Sequence, residues 1–454
     1  MENVPNEVLD LIISHLTALR KDDDLYQARL VARRWNRLAT KYIFSTIILY
    51  NSSNTAPEGF QSWHKLLGQT SVRDTAQRVI IHTWPSDNIR KDEGPFYCDW
   101  DKWEYDGEWP AFTSAIDRII ELDHIQALEI HFSDMCRGRE SFWNEYGPSA
   151  NNREMPGERE AALESVYKAV KQRQARPNVS PIRELKVHHL QNSYPPDALV
   201  NGLLKDIERF HLNIVQEENS FMNYEDFQLS EKFYFDEILR NNILAPIADQ
   251  LVELSIGAQY EWGLLPARFK GKGLKFPKLK KLKLDFYAIG HYDQMDWVLD
   301  QKSLTSLHLD NCQIVTHFHF TSEEEEDWDV STDDWENSNK NPWLRSLARD
   351  FYTFDLRWNT IFDKISDGLP GLNEFRASWT ETGGAKEDFS RRYISFSADN
   401  FPVPFVEIEL HNRMKGCENG PWHVADAAYE RDVAALEALK KTVYERRKGK
   451  KTII

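Results

Sequence analysis

The sequence predicts a mixed α/β chain: three short helices at the N-terminus, followed by an irregular solenoid of βα coils. Three observations carry that prediction. Apolar stripes of helical period fill the first 46 residues. Behind them, a short fragment of the form apolar-x-x-Leu-x-Leu recurs along the 454-residue chain. Helix-patterned segments precede many of these fragments, so helix and strand alternate. The length allows about three average domains at ~150 residues each. A hydrophobic content of 41%, with 24 Phe, 17 Tyr and 15 Trp, supports a large core and argues against wholesale disorder.

Pro5 opens the first helix, where its preset φ suits a first turn. Val8, Leu9, Leu11, Ile12, Ile13 and Leu16 follow, an apolar band wider than one packing face needs. Asp22, Asp23 and Asp24 give a second helix an acidic start, beside backbone N–H groups that lack helical partners. Its inward positions are predicted at Leu25, Ala28, Val31 and Trp35. A third stripe, Leu38, Ala39, Tyr42 and Ile43, continues to Phe44. So short a segment makes a poor independent core. It must bury a face against the rest of the chain, as a cap, or against a partner.

The run Val4-Pro5-Asn6-Glu7-Val8-Leu9-x-x-Ile12-x-x-x-Leu16, then Leu25, then Ala28 to Ala39 reading ARLVARRWNRLA, then Phe44, resembles an F-box. The ending LATKYIFSTI is similar to those of filamentous-fungal F-box proteins. Two departures stand out: Val4 where Leu is usual, and Arg33 where Cys or Ser is common. The resemblance covers residues 1–46 and implies docking on the Skp-family adaptor, and through it on a cullin, in an SCF-type ubiquitin ligase. Carried over residue by residue, Val4, Pro5, Val8, Leu9 and Ile12 would supply first-helix contacts. Leu30, Val31 and Trp35 would supply or support second- and third-helix contacts, with Leu16 and Phe44 as internal packing. In proteins of this layout the solenoid selects a target protein and the F-box delivers it, which makes the chain a non-catalytic adaptor. An alternative is an interaction protein unconnected with ubiquitin, whose N-terminal helices only cap the solenoid.

The recurring fragments are centred on Val79, Leu128, Leu185, Phe210, Leu254, Leu282, Leu307, Phe375 and Val406. Several of their spacings, such as 25 residues from Leu282 to Leu307, approach the period of leucine-rich repeats. Leu279–Ile289 and Leu304–Val315 both begin Leu-x-x-Leu-x-Leu-Asp. Helices are predicted over Ala111–Leu122, Glu158–Gln172, Glu231–Gln250, Tyr292–Leu299 and Trp343–Ser366. The expected organisation is a linker at 47–69, a leucine-rich-repeat-like recognition domain at 70–445 and a basic tail at 446–454. Another α/β arrangement would also alternate helix and strand. Ala425–Tyr444 is a predicted amphipathic helix with Tyr429, Val433, Leu436, Leu439 and Val443 on one stripe, suited to cap the last coil.

The formal net charge of −16 is concentrated. Residues 92–108 carry −6 and residues 321–336 carry −9, while residues 440–451 carry +6. An acidic chain disfavours a nucleic-acid partner, since phosphate binding is driven by Lys and Arg. The insertion near 92–110 interleaves acids with Trp100, Trp103 and Trp109, which makes these candidate target-binding residues for a cationic segment. The packing alternative tucks the rings onto the solenoid. The insertion near 321–340 is expected to be a mobile, solvated loop, because like charges repel. If either insertion borders the recognition face, the target presents a basic segment.

No metal set, cofactor or catalytic motif is predicted. Cys98, Cys136, Cys312 and Cys417 show no C-x-x-C spacing. His188 and His189, and His317 and His319, lack a third ligand at a recognised spacing and read as surface or strand-face histidines. A metal-dependent enzyme built around the acidic insertions is the remaining alternative. The acidic N-terminus and the absence of an apolar run of ~20 residues favour a protein of the cytoplasm or nucleus, with no membrane contact.

Overall fold

Val79 and Ile81, Leu128 and Ile130, and Leu185 and Val187 alternate with polar neighbours at the period of a strand. In the computed structural model each pair lies on one. The structure describes residues 4–18, 22–50, 60–83, 110–134, 136–137, 154, 156–193, 195–215, 217–218, 230–265, 268–320, 322–337, 350–380, 388–397, 405–407 and 424–451. The chain divides into two units. Met1–Arg139, Glu145–His188 and Pro196–Ile207 form the first; Glu140–Asn144, His189–Pro195 and Glu208–Ile454 form the second. Among the described residues no helix is long and apolar enough to cross a membrane.

The first unit starts with three helices, α1 (Asn6–Ala18), α2 (Asp22–Val31) and α3 (Arg33–Ile43). Ala32 breaks α2 from α3 with an extended backbone. Four parallel strands follow in chain order: β1 (Thr46–Leu49), β2 (Arg78–His82), β3 (Ala127–His131) and β4 (Glu184–Gln191). Ile47, Val79, Leu128 and Leu185 share one register and are buried, as are Leu49, Ile81, Ile130 and Val187. Helices α4 (Pro110–Asp117) and α5 (Pro156–Gln174) bury Phe112, Ile116, Leu163 and Val166. Arg173 is fully buried on α5 and closes the turn before β3. Its guanidinium donates to the carbonyls of Leu122, Asp123, Ile125 and Ser180 at 2.5–3.1 Å.

The second unit repeats the pattern with β5 (Arg209–Val215), β6 (Glu253–Ala258), β7 (Lys281–Asp285), β8 (Ser306–Asp310) and β9 (Glu374–Ser378), all parallel. Phe210, Leu254, Leu282, Leu307 and Phe375 stand in register, so the sequence anchors become one apolar row. Entry to the strands follows one rule in both units: a single backbone carbonyl accepts two consecutive N–H groups of the next coil. Ser45 O takes Gln77 and Arg78 at 2.8 and 2.9 Å, and Gln77 O takes Gln126 and Ala127. Val252 O takes Lys280 and Lys281, Lys280 O takes Thr305 and Ser306, and Thr305 O takes Asn373 and Glu374. The opposite face of the strands carries Arg78, Glu129 and Lys186 in the first unit and Lys283, His308 and Asp310 in the second, all half-exposed.

Several expectations change. Val406 does not continue the parallel row: its strand, Phe405–Glu407, runs antiparallel to Tyr393–Ser397. Both belong to a second sheet centred on Gln313–Phe320, with Asp350–Thr353 on its other side and Glu336–Asn337 beyond. Val403 and Ile408 lie outside the described residues. Asp350–Thr353 also replaces part of the helix expected over Trp343–Ser366; α7 starts only at Trp358 and ends at Gly368. Of Tyr292–Leu299, only Asp296–Leu299 is helical (α6). All of Gln313–Phe320 is buried, including His317 and His319, so these histidines are interior groups. His319 Nδ1 lies 3.1 Å from Ser397 Oγ.

The described part of the second acidic insertion is anchored rather than loose. Ser322–Asp327 is helical, and Trp328 and Trp335 are buried. Trp335 stacks on Phe318 at 3.7 Å, and its indole N–H donates to Gly290 O at 2.6 Å. Tyr352 donates to Glu325 at 2.7 Å, and His291 lies 2.9 Å from Asp334. Ring burial outweighs charge repulsion here, because Glu326, Asp329 and Asp333 keep their carboxylates exposed.

Helix α8 (Val424–Lys451) includes the first part of the expected basic tail and packs on α7 and β9. Leu436, Leu439 and Val443 are buried, but Tyr429 is exposed and Asp432 takes an inward position. Arg446 is no solvated cation: it donates to Ser366 O and Leu369 O at 2.8 and 3.0 Å, satisfying carbonyls at the end of α7.

Candidate functional site

The N-terminal bundle closes its core with Ile13, Leu25, Ala28 and Ala39, against which Leu16, Trp35, Leu38, Tyr42 and Ile43 pack. Asn6 on α1 accepts from Arg34 on α3 at 2.5 Å, holding the two helix starts together. This core uses only part of the apolar band. Val8, Leu11, Ile12, Tyr26, Leu30 and Val31 are left exposed, with Leu11 at 67% and Leu30 at 79%. Monomeric surfaces seldom gather this many large apolar side chains on so short a segment without a use for them.

The expected contact residues separate into three groups. Pro5, Val8, Ile12, Leu30 and Val31 are exposed, while Val4 and Trp35 are half-buried. Leu9 is 1% exposed, so its side chain serves packing rather than an open face. Leu11 and Tyr26 are exposed apolar residues that the motif alone does not assign. The candidate target-binding Trp100, Trp103 and Trp109 lie outside the described residues.

Residues 1–49 match the family described as F-box-like. No curated protein matches the chain. F-box domains generally bind Skp1-type adaptors, and proteins that carry them are typically non-catalytic adaptors; the domain therefore suggests a ubiquitin-ligase adaptor role.

A second constellation lies on the polar face of β1–β4. Tyr50, His82, His131 and His188 succeed one another across the strands, with ring centroids 4.7, 4.6 and 4.1 Å apart. Equal register on parallel strands sets that spacing, close to the ~4.8 Å between neighbouring strands. Glu129, two residues before His131 on β3, shares its face. Its Oε1 lies 2.6 Å from His131 Nε2 and 3.3 Å from His188 Nε2. Its Oε2 faces Arg78 at 3.4 Å and Lys186 at 3.6 Å. Hydrogen bonds to His131 and then His188 hold the Glu129 carboxyl far below the usual carboxylate range. Burial, followed by neighbouring His131, pulls His82 down to about 4. One donor atom each from Glu129, His131 and His188 falls within 4.8 Å of the others, the group of described residues able to hold a metal. His188 is a strand-face histidine, as expected, with no ligand partner at a recognised sequence spacing; strand register brings it beside His131 and Glu129.

Proposed function

We propose that this chain is the substrate-recognition subunit of an SCF-type cullin ubiquitin ligase. The observation that carries the reading is the exposed apolar surface of Val8, Leu11, Ile12, Leu30 and Val31 on a segment that matches an F-box-like domain. A bundle serving only as a cap has no need to leave these side chains in water. Burying each on an adaptor contributes about 1.5–3 kcal/mol, so a few suffice to anchor an interface.

The remainder of the chain, in this reading, is a leucine-rich-repeat-like solenoid that holds a target protein. Two features support it. In each coil one backbone carbonyl seats the next, and the parallel strands alternate buried with half-exposed residues. A doubly wound sheet would cover both faces. The exposed carboxylates of Glu326, Asp329 and Asp333 favour a target with a basic segment. The mechanism is proximity: a tethered target presents its lysines at high effective concentration to a ubiquitin-charged enzyme. The free, buried Cys312 suits the reducing cytoplasm or nucleus, where such a fungal-type F-box protein would act.

The test is co-purification of full-length chain with a Skp-family adaptor. Leu11→Asp with Leu30→Asp should abolish binding while far-UV circular dichroism stays unchanged. Undiminished binding by that double variant overturns the reading.

A further inference from the structure

His82, His131 and His188 lie outside the F-box-like residues 1–49, and the chemistry of their row is that of a ligand set. We propose that Glu129, His131 and His188 form a binding site for a divalent transition-metal ion of the zinc class, through Glu129 Oε1 and the two imidazole Nε2 atoms.

Three features point to the ion. First, the donors converge. Glu129 and His131 stand at i and i+2 on one strand face, and His188 faces His131 from the adjacent strand in equal register. Second, the spacing suits a tetrahedral centre. Ligand arms of about 2.0–2.1 Å put neighbouring donor atoms roughly 3.3 Å apart. His188 Nε2 already sits 3.3 Å from Oε1. The 2.6 Å contact from His131 Nε2 to the same oxygen has the length of a shared proton. A metal ion takes that proton's place and opens the contact, and a turn about χ2 brings together rings now inclined by 22°.

Third, the rest of the carboxylate is held in position. Arg78 and Lys186 engage Oε2, leaving Oε1 to the imidazoles. Arg78 is itself paired with Glu184 at 2.7 Å. The two acids and two bases cancel, so the site has little net charge with which to attract a hard cation. Affinity must come from the imidazole nitrogens, which suit zinc, copper and nickel better than magnesium or calcium. Three protein ligands leave a coordination position for water or for a partner's side chain.

The test uses full-length protein stripped with a chelator and dialysed. Zn²⁺ is titrated calorimetrically, and Co²⁺ serves as a spectroscopic probe. One tight equivalent of Zn²⁺ should bind, and Co²⁺ should give the visible d–d absorption of a low-symmetry site. Glu129→Gln and His188→Ala, both on a polar strand face, should each weaken binding at least about tenfold. Their thermal unfolding reports whether the fold is kept. Excess Mg²⁺ or Ca²⁺ should not displace the ion. The proposal is overturned if folded variants bind Zn²⁺ as the parent does, if no tight equivalent is found, or if Mg²⁺ competes equally.

Discussion

Arg392 and Asp432, both with no exposed side-chain surface, form an ion pair of 2.8 Å. Asp432 also accepts from Tyr393 OH and the Asn359 backbone N–H, at 2.8 and 2.9 Å. One carboxylate thus joins α8 to the start of α7 and to the second sheet. Removing one member of such a pair strands the other charge, at a cost of about 3–5 kcal/mol. Asp432→Ala and Arg392→Met are each expected to lower the urea midpoint sharply. The double variant should recover part of the loss, because neither charge is then buried alone. A double-mutant cycle from denaturation curves checks this.

Trp335 fastens the second acidic insertion through its stack on Phe318 and its hydrogen bond to Gly290. Trp335→Ala should cost about 3–5 kcal/mol in the second unit. Cleavage of residues 321–336 by an acid-specific protease should accelerate in the same variant. Trp335→Phe keeps the stack but loses the N–H donor, and its effect should be smaller.

Gly263 has φ of +88°, and a Cβ placed there would collide with the ring of Tyr287. Both the left-handed backbone and the close approach require glycine. Gly263→Ala is expected to destabilise by about 2 kcal/mol or more. Tyr287→Leu in the same chain should relieve only the collision, and thermal melts of the three proteins separate the two contributions.

Asp236, on the helix Ser230–Ile238, is buried, and that burial pushes its carboxyl up to about 8. An unfolded Asp titrates near about 3.9. Between these values the folded chain holds a proton that the unfolded chain has released, so stability falls as pH rises. The contribution is fully present below the unfolded pKa and is lost as pH passes through about 8. Asp236→Asn should flatten this part of the profile, as read from urea midpoints at pH 5 and pH 8.

The parallel rows were legible in the sequence because their anchors repeat locally. Leu279, Leu282 and Leu284, then Leu304, Leu307 and Leu309, state the inward positions outright, and all are buried. The second sheet was not legible. Gln313–Phe320 is buried on both faces, so its histidines and Thr316 give no solvent-facing alternation to read. Asp432 is not among the stripe residues of the predicted amphipathic helix. Its burial depends on donors from Asn359, Arg392 and Tyr393, far away in the chain. The same limit applies at the candidate metal site, where Glu129 and His131 are neighbours but His188 arrives only through strand register. On the N-terminal bundle, helical period located the apolar band but not its division. Leu9 and Leu11 are equally apolar, and only the packing of three helices decides which one meets water.

The shared carbonyl at each strand entry has a mechanical consequence. Within each unit, every strand of the parallel row is sewn to the strand just before it in the chain, so a pull on one end meets the coils one after another. Pulled from the C-terminal end, the second unit would resist first at α8 and its buried Asp432, then give way one coil at a time. An optical-tweezers trace should record that as a tall initial rip followed by a staircase of smaller ones.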